Sequence, residues 1–341
     1  MSKCCTPTIC MFLDSRGIGG IESHVLQLSA ALQAQGYSVR VLFWKDYGQQ
    51  HPLHTQLISK QIQVIYLNGS IARLRSYVLK QGVSVLHCHG YKASILARLF
   101  CRTSRVRLVS SYHAAEACTG ALAFYTKLDF YSARLSDANI SVSLALQQQV
   151  KGTCVHIDNF VNINPVNERP LRLKRPQIAF VGRVVAVKAP QRVLELAAHL
   201  PGFDFLIYGH GDMEHQLKQS SPANVIWKGQ VKNMQSHWKQ IDLLCLTSLQ
   251  EGLPMAVLEA MANKVPVMTT KVGGLASLIE HRRNGYMFEH FNALKWSETL
   301  LDWQSLSKSQ AEHLQRQARA SIEQHYSAKA LLPRFQQLYG C

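Results

Sequence analysis

Two carboxylates eight residues apart, Glu251 and Glu259, frame a stretch whose residue types suit an anionic ligand. Gln250-Glu251-Gly252-Leu253 reads as a loop, and Pro254 as the first helical position, where its missing N–H and fixed φ cost nothing. Met255 to Met261 are mostly strong helix formers. A helix start of this kind carries unpaired backbone N–H groups, and Gly252 clears the approach to them. Phosphate or diphosphate is the natural ligand for that arrangement. Val265–Thr269 then reads as a short buried strand, Gly273-Gly274 as a second permissive turn, and Ile279-Glu280 as part of another helix. Alone, two acids at this spacing would be solvated side chains. The order of loop, glycine, proline, helix and glycine pair singles them out.

The first half of the chain supplies a second set of candidates. Ile9–Leu13 reads as a buried strand that runs into Asp14–Gly20, a helix over Glu22–Gln35 stopped by Gly36, and a strand at Val39–Phe43. This is the repeating unit of a doubly wound α/β sheet. Gly17-x-Gly19-Gly20 partly matches a dinucleotide fingerprint, but Glu22 stands where the third glycine belongs, which disfavours a nicotinamide or flavin. Further strands are expected at 63–67, 83–87, 106–110 and 138–142. His113 falls just past one of them, at the end of the strand where such sheets place their ligands. His87-Cys88-His89 has the alternate spacing of metal ligands on a strand. No acid or cysteine cluster completes a ligand set, so these two read as cleft-edge residues and no metal is expected.

Glu251-x7-Glu259, embedded in EGLPMAVLEAMA and followed by KVPVMTTKVGGLASLIE, resembles the donor-site signature of the retaining GT-B glycosyltransferases of family 4 (GT4). The resemblance covers nearly the whole chain and is strongest from Gly182 to Glu280. It implies GT-B architecture: two Rossmann-like doubly wound α/β domains facing across a cleft, with the C-terminal helix crossing back to the first. The corresponding boundaries are an acceptor-binding domain at 1–163, a linker at 164–176, a nucleotide-sugar domain at 177–325 and the returning helix at 326–341. Gly182-Arg183, after the strand Gln177–Val181, and Lys188 are similar to the family's diphosphate clamp. Two fixed cations there would stabilise charge gained by the leaving group as the glycosidic bond breaks. By the same resemblance Glu251 holds donor-sugar hydroxyls and Glu259 ribose hydroxyls, aided by N–H groups near Gly252 and Leu253. Gly229 and Val231 flank the nucleobase, Gly19 and Gly20 let the backbone approach the donor phosphates and acceptor, and His113 contacts the transferring sugar. Asp158-Asn159-Phe160-Val161-Asn162 departs from the family's Asn-Gly-Val-Asp turn, since Phe160 replaces the glycine.

The implied reaction moves a hexosyl or hexosaminyl group, with retention, from a nucleotide sugar (a UDP-sugar favoured) to a hydroxyl of a glycan or lipid-linked acceptor. Bacterial surface polysaccharide or lipopolysaccharide assembly is the expected setting. The alternatives are another GT-B enzyme, such as a sugar-phosphate-accepting synthase or a nucleotide-sugar epimerase, and a non-catalytic GT-B-like scaffold on a membrane surface. With cationic residues supplying the countercharge and no DxD triplet, neither metal nor cofactor is expected.

Composition agrees with two ordinary domains, since 341 residues with 47% hydrophobic and 17% charged side chains can build two cores. No apolar run reaches the roughly 18 residues needed to span a bilayer, and the N-terminus lacks a signal-peptide apolar core, so a cytoplasmic location is expected. Nine scattered cysteines without a CxxC pair suggest reduced thiols. The net charge of +16 is concentrated in residues 1–165, which carry +9, with clusters at Arg73/Arg75/Lys80 and Arg98/Arg102/Arg105/Arg107. Such a field attracts an anionic surface. With no nucleic-acid motif present, an anionic membrane reached peripherally is the favoured partner and nucleic acid is not expected.

Overall fold

The computed structural model describes residues 7–102, 105–113, 120–166, 174–231 and 233–340. Part of the expected linker (167–173) and Cys4, Cys5, Cys118 and Cys341 lie outside these residues. The chain divides into two compact units, Met1–Asn162 with Ala328–Cys341, and Ile163–Ser327. Each is an α/β fold built on a parallel sheet.

In the first unit the strands are β1 (Thr8–Leu13), β2 (Ser38–Phe43), β3 (Gln63–Tyr66), β4 (Val83–His89), β5 (Arg107–Tyr112), β6 (Ala138–Ser141) and β7 (Cys154–His156). They pair in the order β3-β2-β1-β4-β5-β6-β7, every pair parallel. Because helices cover both faces, the central strands are near-continuous apolar runs; β1 is buried from Ile9 to Leu13. The helix Gly20–Ala34 follows from Val25, Leu28 and Leu32, which recur at helical spacing and are fully buried in the core with Ile9 and Met11. Gly36, at φ 87°, reverses the chain into β2. The order inverts between β1 and β4, so the segments after these strands diverge there and leave a crevice at their C-terminal ends.

The second unit carries β8 (Gln177–Val181), β9 (Asp204–Tyr208), β10 (Val225–Gly229), β11 (Leu243–Leu246), β12 (Val267–Thr270) and β13 (Gly285–Phe288), ordered β10-β9-β8-β11-β12-β13. Here the inversion falls between β8 and β11. The short strands β7 and β13 are not anticipated from the sequence.

The tail forms two helices, Lys308–His325 and Ala328–Tyr339, the second where a returning helix at 326–341 is expected. The first starts at a capping box formed by Ser307 and Gln310. Leu331, Leu332, Phe335 and Tyr339 of the second join the core of the first unit. Phe160, the departure from the family turn, is fully buried in that core, and Asn162 is bonded to Gln27 through both its backbone and its side chain. The described cysteines Cys10, Cys88, Cys101, Cys154 and Cys245 are free thiols.

One member of the expected basic surface proves to be internal. Arg102, Arg105 and Arg107 are exposed, but Arg98 is only 3% exposed. Its guanidinium donates to the Asp129 carboxylate at 2.6 Å, to Ser132 and Ser136 at 2.8 and 2.9 Å, and to the Tyr112 hydroxyl. It thereby ties Tyr91–Phe100 to Gly120–Ser132. The sequence shows only its neighbourhood of cations; its acid lies 31 residues away. Burial pushes Asp129 up to about 6, with Arg98 opposing the rise. Removing Arg98 would strand that carboxylate, so Arg98→Ala is expected to cost about 3–5 kcal/mol in urea unfolding at pH 7. A loss below about 1 kcal/mol would show that the network is dispensable.

Candidate functional site

In the second unit the loops leaving β8 and β11 meet at the inversion of strand order. After β8 the chain passes Gly182 and exposed Arg183, then forms a short 3₁₀ turn, Ala186–Lys188. Ala189 follows at φ 47°, a left-handed conformation that a residue with a Cβ rarely adopts. Thr247, just past β11, holds this turn by donating its hydroxyl to the carbonyls of Ala189 and Lys188 at 2.9 and 3.3 Å. Lys188 is thereby aimed at the loop after β11, where its ammonium meets the Glu251 carboxylate at 2.6 Å. Ser248 donates to the other Glu251 oxygen at 2.6 Å. The two ionic side chains are 16% and 5% exposed, so solvent screens the pair weakly.

Glycines shape this site at two points. A Cβ on Gly273, at φ 53°, would drive into the Glu251 carbonyl, and the Gly274 N–H donates to the Gly252 carbonyl at 2.7 Å. Packing therefore requires the glycine turn after β12. Gly252 differs, because a Cβ there would meet no protein atom within 4 Å. Space beside its backbone is open to a ligand.

The helix after this loop begins at Met255, with Pro254 outside it as N-cap at ψ 130°. The sequence reading placed Pro254 one residue further in; extended ψ makes it the flanking residue, and its absent N–H is still no loss. Glu259 sits in that helix with its carboxyl pushed up to about 7 by burial, the Trp238 indole opposing the rise. Gly229 ends β10 at φ 66° and accepts a hydrogen bond from Gly209 N–H, while Val231 is half-buried just beyond. The structure thus brings Lys188, Glu251, Gly252 and Leu253 to one loop cluster, with Arg183 on the adjoining β8 loop.

In the first unit, Gly19 is the N-cap of Gly20–Ala34 and Glu22 lies in the first turn. A Cβ on Gly19 would approach the Glu22 carboxylate at 3.1 Å, whereas Gly20 has open space. The positive end of this helix therefore already faces an internal carboxylate. His113 follows β5 and does not stand alone. His24, His89 and His113 each offer a ring nitrogen within 4.8 Å of the others, a donor grouping to which the sequence reading of β4 gave only one member. The third comes from position 24, too distant in sequence for spacing to reveal. His87 and His89 are buried inside the fold rather than at its edge, at 0% and 2% exposure. His87 is held by the Tyr339 hydroxyl and Ser111 at 2.7 Å each. Burial holds His24 down to about 4 and His87, His89 and His113 well below the usual imidazole range, so the cluster is neutral at pH 7.

Residues 165–321 match the model of the "Glycosyl transferases group 1" family, and residues 18–162 match "Glycosyltransferase Family 4". The chain belongs to this glycosyltransferase family. It is 26% identical over 299 residues to phosphatidyl-myo-inositol mannosyltransferase of Mycobacterium leprae, covering 79% of each chain. It is 24% identical over 270 residues to an Escherichia coli UDP-Gal:alpha-D-GlcNAc-diphosphoundecaprenol alpha-1,3-galactosyltransferase, covering 68% of this chain and 69% of the other. The fold is shared with Anabaena HepE in complex with UDP-glucose, at 16% identity and a TM-score of 0.81 over 98% of both chains. It is also shared with Staphylococcus aureus TarM, at 15% identity and 0.81 over 98% of this chain and 100% of that one.

For this glycosyltransferase the raised Glu259 carboxyl carries a signed pH effect. Its folded value lies above the unfolded one, so its contribution to stability is complete below about 4.5 and lost as pH rises through 7. Glu259→Gln is therefore expected to stabilise the protein by about 1–3 kcal/mol at pH 8. The gain should shrink toward zero as the pH approaches 4.5. Urea unfolding at pH 8 and pH 5 reads it, and an equal gain at both would rule out ionisation as its cause.

Proposed function

We propose that this protein transfers a hexosyl or hexosaminyl group from a nucleotide sugar, a UDP-sugar favoured, to a hydroxyl of a glycan or lipid-linked acceptor, with retention at the anomeric carbon. The observation that carries the reading is the Lys188–Glu251 pair beside the open backbone of Gly252. An ammonium has three donors and Glu251 has lone pairs beyond those used by Lys188 and Ser248. Lys188 can therefore reach a diphosphate oxygen, with Arg183, while Glu251 takes sugar hydroxyls. As the anomeric C–O bond breaks, its electron pair goes to the nucleoside diphosphate, where these two cations meet the growing charge. The acceptor oxygen forms the new bond to the same carbon on the face the diphosphate leaves, and the acceptor's proton passes to the departing diphosphate oxygen. Glu259, with a carboxyl that is partly protonated at neutral pH, can both donate to and accept from a ribose diol. His113 binds the sugar. No metal is needed in this scheme because Arg183 and Lys188 supply the countercharge.

A UDP-glucose complex of HepE and UDP-bound TarM, both sharing the fold, support the choice of a uridine donor. The galactosyl- and mannosyltransferase relatives, named for lipid-linked acceptors, support a bacterial surface-glycan role. Acceptor work at an anionic membrane surface is supported by the helix Gly120–Ser132, where Leu122, Phe124, Tyr125, Leu128 and Tyr131 are exposed beside Lys127. Aromatic side chains flanked by cations suit a bilayer interface. The contact proposed is peripheral, on the cytoplasmic face; no described helix is long and apolar enough to cross a membrane.

Calorimetric titration with UDP, GDP and ADP in EDTA tests the donor site. One nucleotide, UDP, is expected to bind, and Lys188→Ala is expected to weaken it by about 2–5 kcal/mol. Binding that appears only with Mn²⁺ would overturn the metal-independent scheme, and unchanged binding by the variant would overturn the clamp. Proton NMR of the transferred product decides retention: an anomeric configuration opposite to the donor's would refute it.

A further inference from the structure

We infer that His89 is a positioning residue that fixes His113 as its Nδ1–H tautomer, presenting a neutral hydrogen-bond donor to the ligand. This rests on the reading of His113 as a ligand-facing residue. The cluster is assembled from three separate segments. His24 lies on the helix after β1, His87 and His89 alternate on β4, and His113 follows β5. Since β4 is hydrogen-bonded to both β1 and β5, with His89 opposite Leu13 and Ser111, the sheet itself brings the rings together. His89 and His113 stack at 5.3 Å between centroids, His24 lies 4.9 Å from His113, and His87 lies 4.2 Å from His89.

The proton positions follow from counting partners. His89 Nδ1 faces His113 Nε2 at 3.1 Å, so one carries the proton and the other accepts it. His89's remaining nitrogen, Nε2, is buried with no partner. A proton there would be an orphaned N–H in the interior, which proteins avoid more strictly than an unused lone pair. The His89 proton therefore sits on Nδ1 and is donated to His113 Nε2. With Nε2 engaged as an acceptor, a neutral His113 holds its own proton on Nδ1.

Neutrality is enforced from every side. Burial disfavours imidazolium at each member, and protonation of any one is opposed by the others. The groups facing His113 are the imidazoles of His24, His87 and His89. Behind them His87 is pinned by Ser111 and Tyr339, and His24 is backed by Phe160 and Phe335. Of the four rings only His113 keeps a substantial exposed surface. Its role toward a sugar is then to give a hydrogen bond, and it has no free lone pair with which to act as a base.

Long-range ¹H–¹⁵N correlation spectra of ¹⁵N-histidine-labelled protein read the tautomer directly, with His113→Asn providing the assignment and no nucleotide present. The wild type is expected to show His113 as a single Nδ1–H tautomer that does not titrate between pH 8 and 5.5. His89→Phe keeps the ring volume but has no donor, and should turn His113 into a mixture of tautomers. His89→Gln retains a donor and should restore the single form. An Nε2–H His113 in the wild type overturns the inference, as does a tautomer unmoved in a folded His89→Phe. If His89→Phe does not fold, the wild-type and His89→Gln spectra decide. Joint shifts of His24, His89 and His113 on adding stoichiometric Zn²⁺ would also overturn it, marking the trio as metal ligands. Absence of UDP binding would sink the transferase reading and leave the tautomer assignment standing, so the two failures are distinguishable.

Discussion

The ion pair between Lys188 and Glu251 is the constraint around which the second unit is arranged. It spans the two loops that diverge at the inversion of strand order, and it is formed by residues 63 positions apart. Each partner needs its own support. Lys188 is held by a turn that continues into a left-handed Ala189; Thr247 and the Leu249 N–H hold this turn from the β11 loop. Glu251 is held by Ser248, whose backbone carbonyl accepts from the Thr270 hydroxyl at 2.7 Å. These loops are thus stitched together by side-chain hydrogen bonds in addition to backbone ones. A buried pair of this kind is weak evidence for stability, since desolvation offsets much of its attraction. Its value lies in keeping a cation and a carboxylate fixed in a place where the backbone of Gly252 is open.

The cluster at His113 in the first unit is built differently from this pair. Among the described residues it is made of imidazoles, which burial and one another hold toward the neutral form. Charge that is wanted at a diphosphate must be permanent, which Arg and Lys provide. An ionised imidazole would be costly to bury in that cluster.

Legibility in the sequence tracks the range of the interactions. The α/β architecture was readable because buried parallel strands are continuous apolar runs and the helices between them keep a 3.6-residue period. The loop-glycine-helix order at 251–259 was readable because all its parts are local. What could not be read depends on residues brought together by the sheet. Arg98 looked like one of four surface cations because Asp129 and Tyr112 are distant in sequence. His87 and His89 looked like edge residues because nothing local announces His24, and because β4 extends two residues beyond its expected end at His87. The ion pair itself joins two residues that had been given separate tasks.

Glu251 and Glu259 show how a single motif can place two identical side chains in different chemical states. Glu251 lies in the loop, where Lys188 and Ser248 can each reach one of its oxygens. Glu259 lies at the fifth position of the helix Met255–Ala262, past the open loop, where burial raises its carboxyl to about 7 against the Trp238 indole. Eight residues is the distance that allows this: three to leave the loop through Gly252 and Pro254, then somewhat more than one helical turn at 1.5 Å per residue. A shorter spacing would put both acids in the loop, competing for Lys188. A shift of one or two residues along the helix would turn the second acid by about 100° per residue and move it away from Trp238. The spacing therefore sets two different surroundings. One acid lies beside a cation, and burial raises the carboxyl of the other.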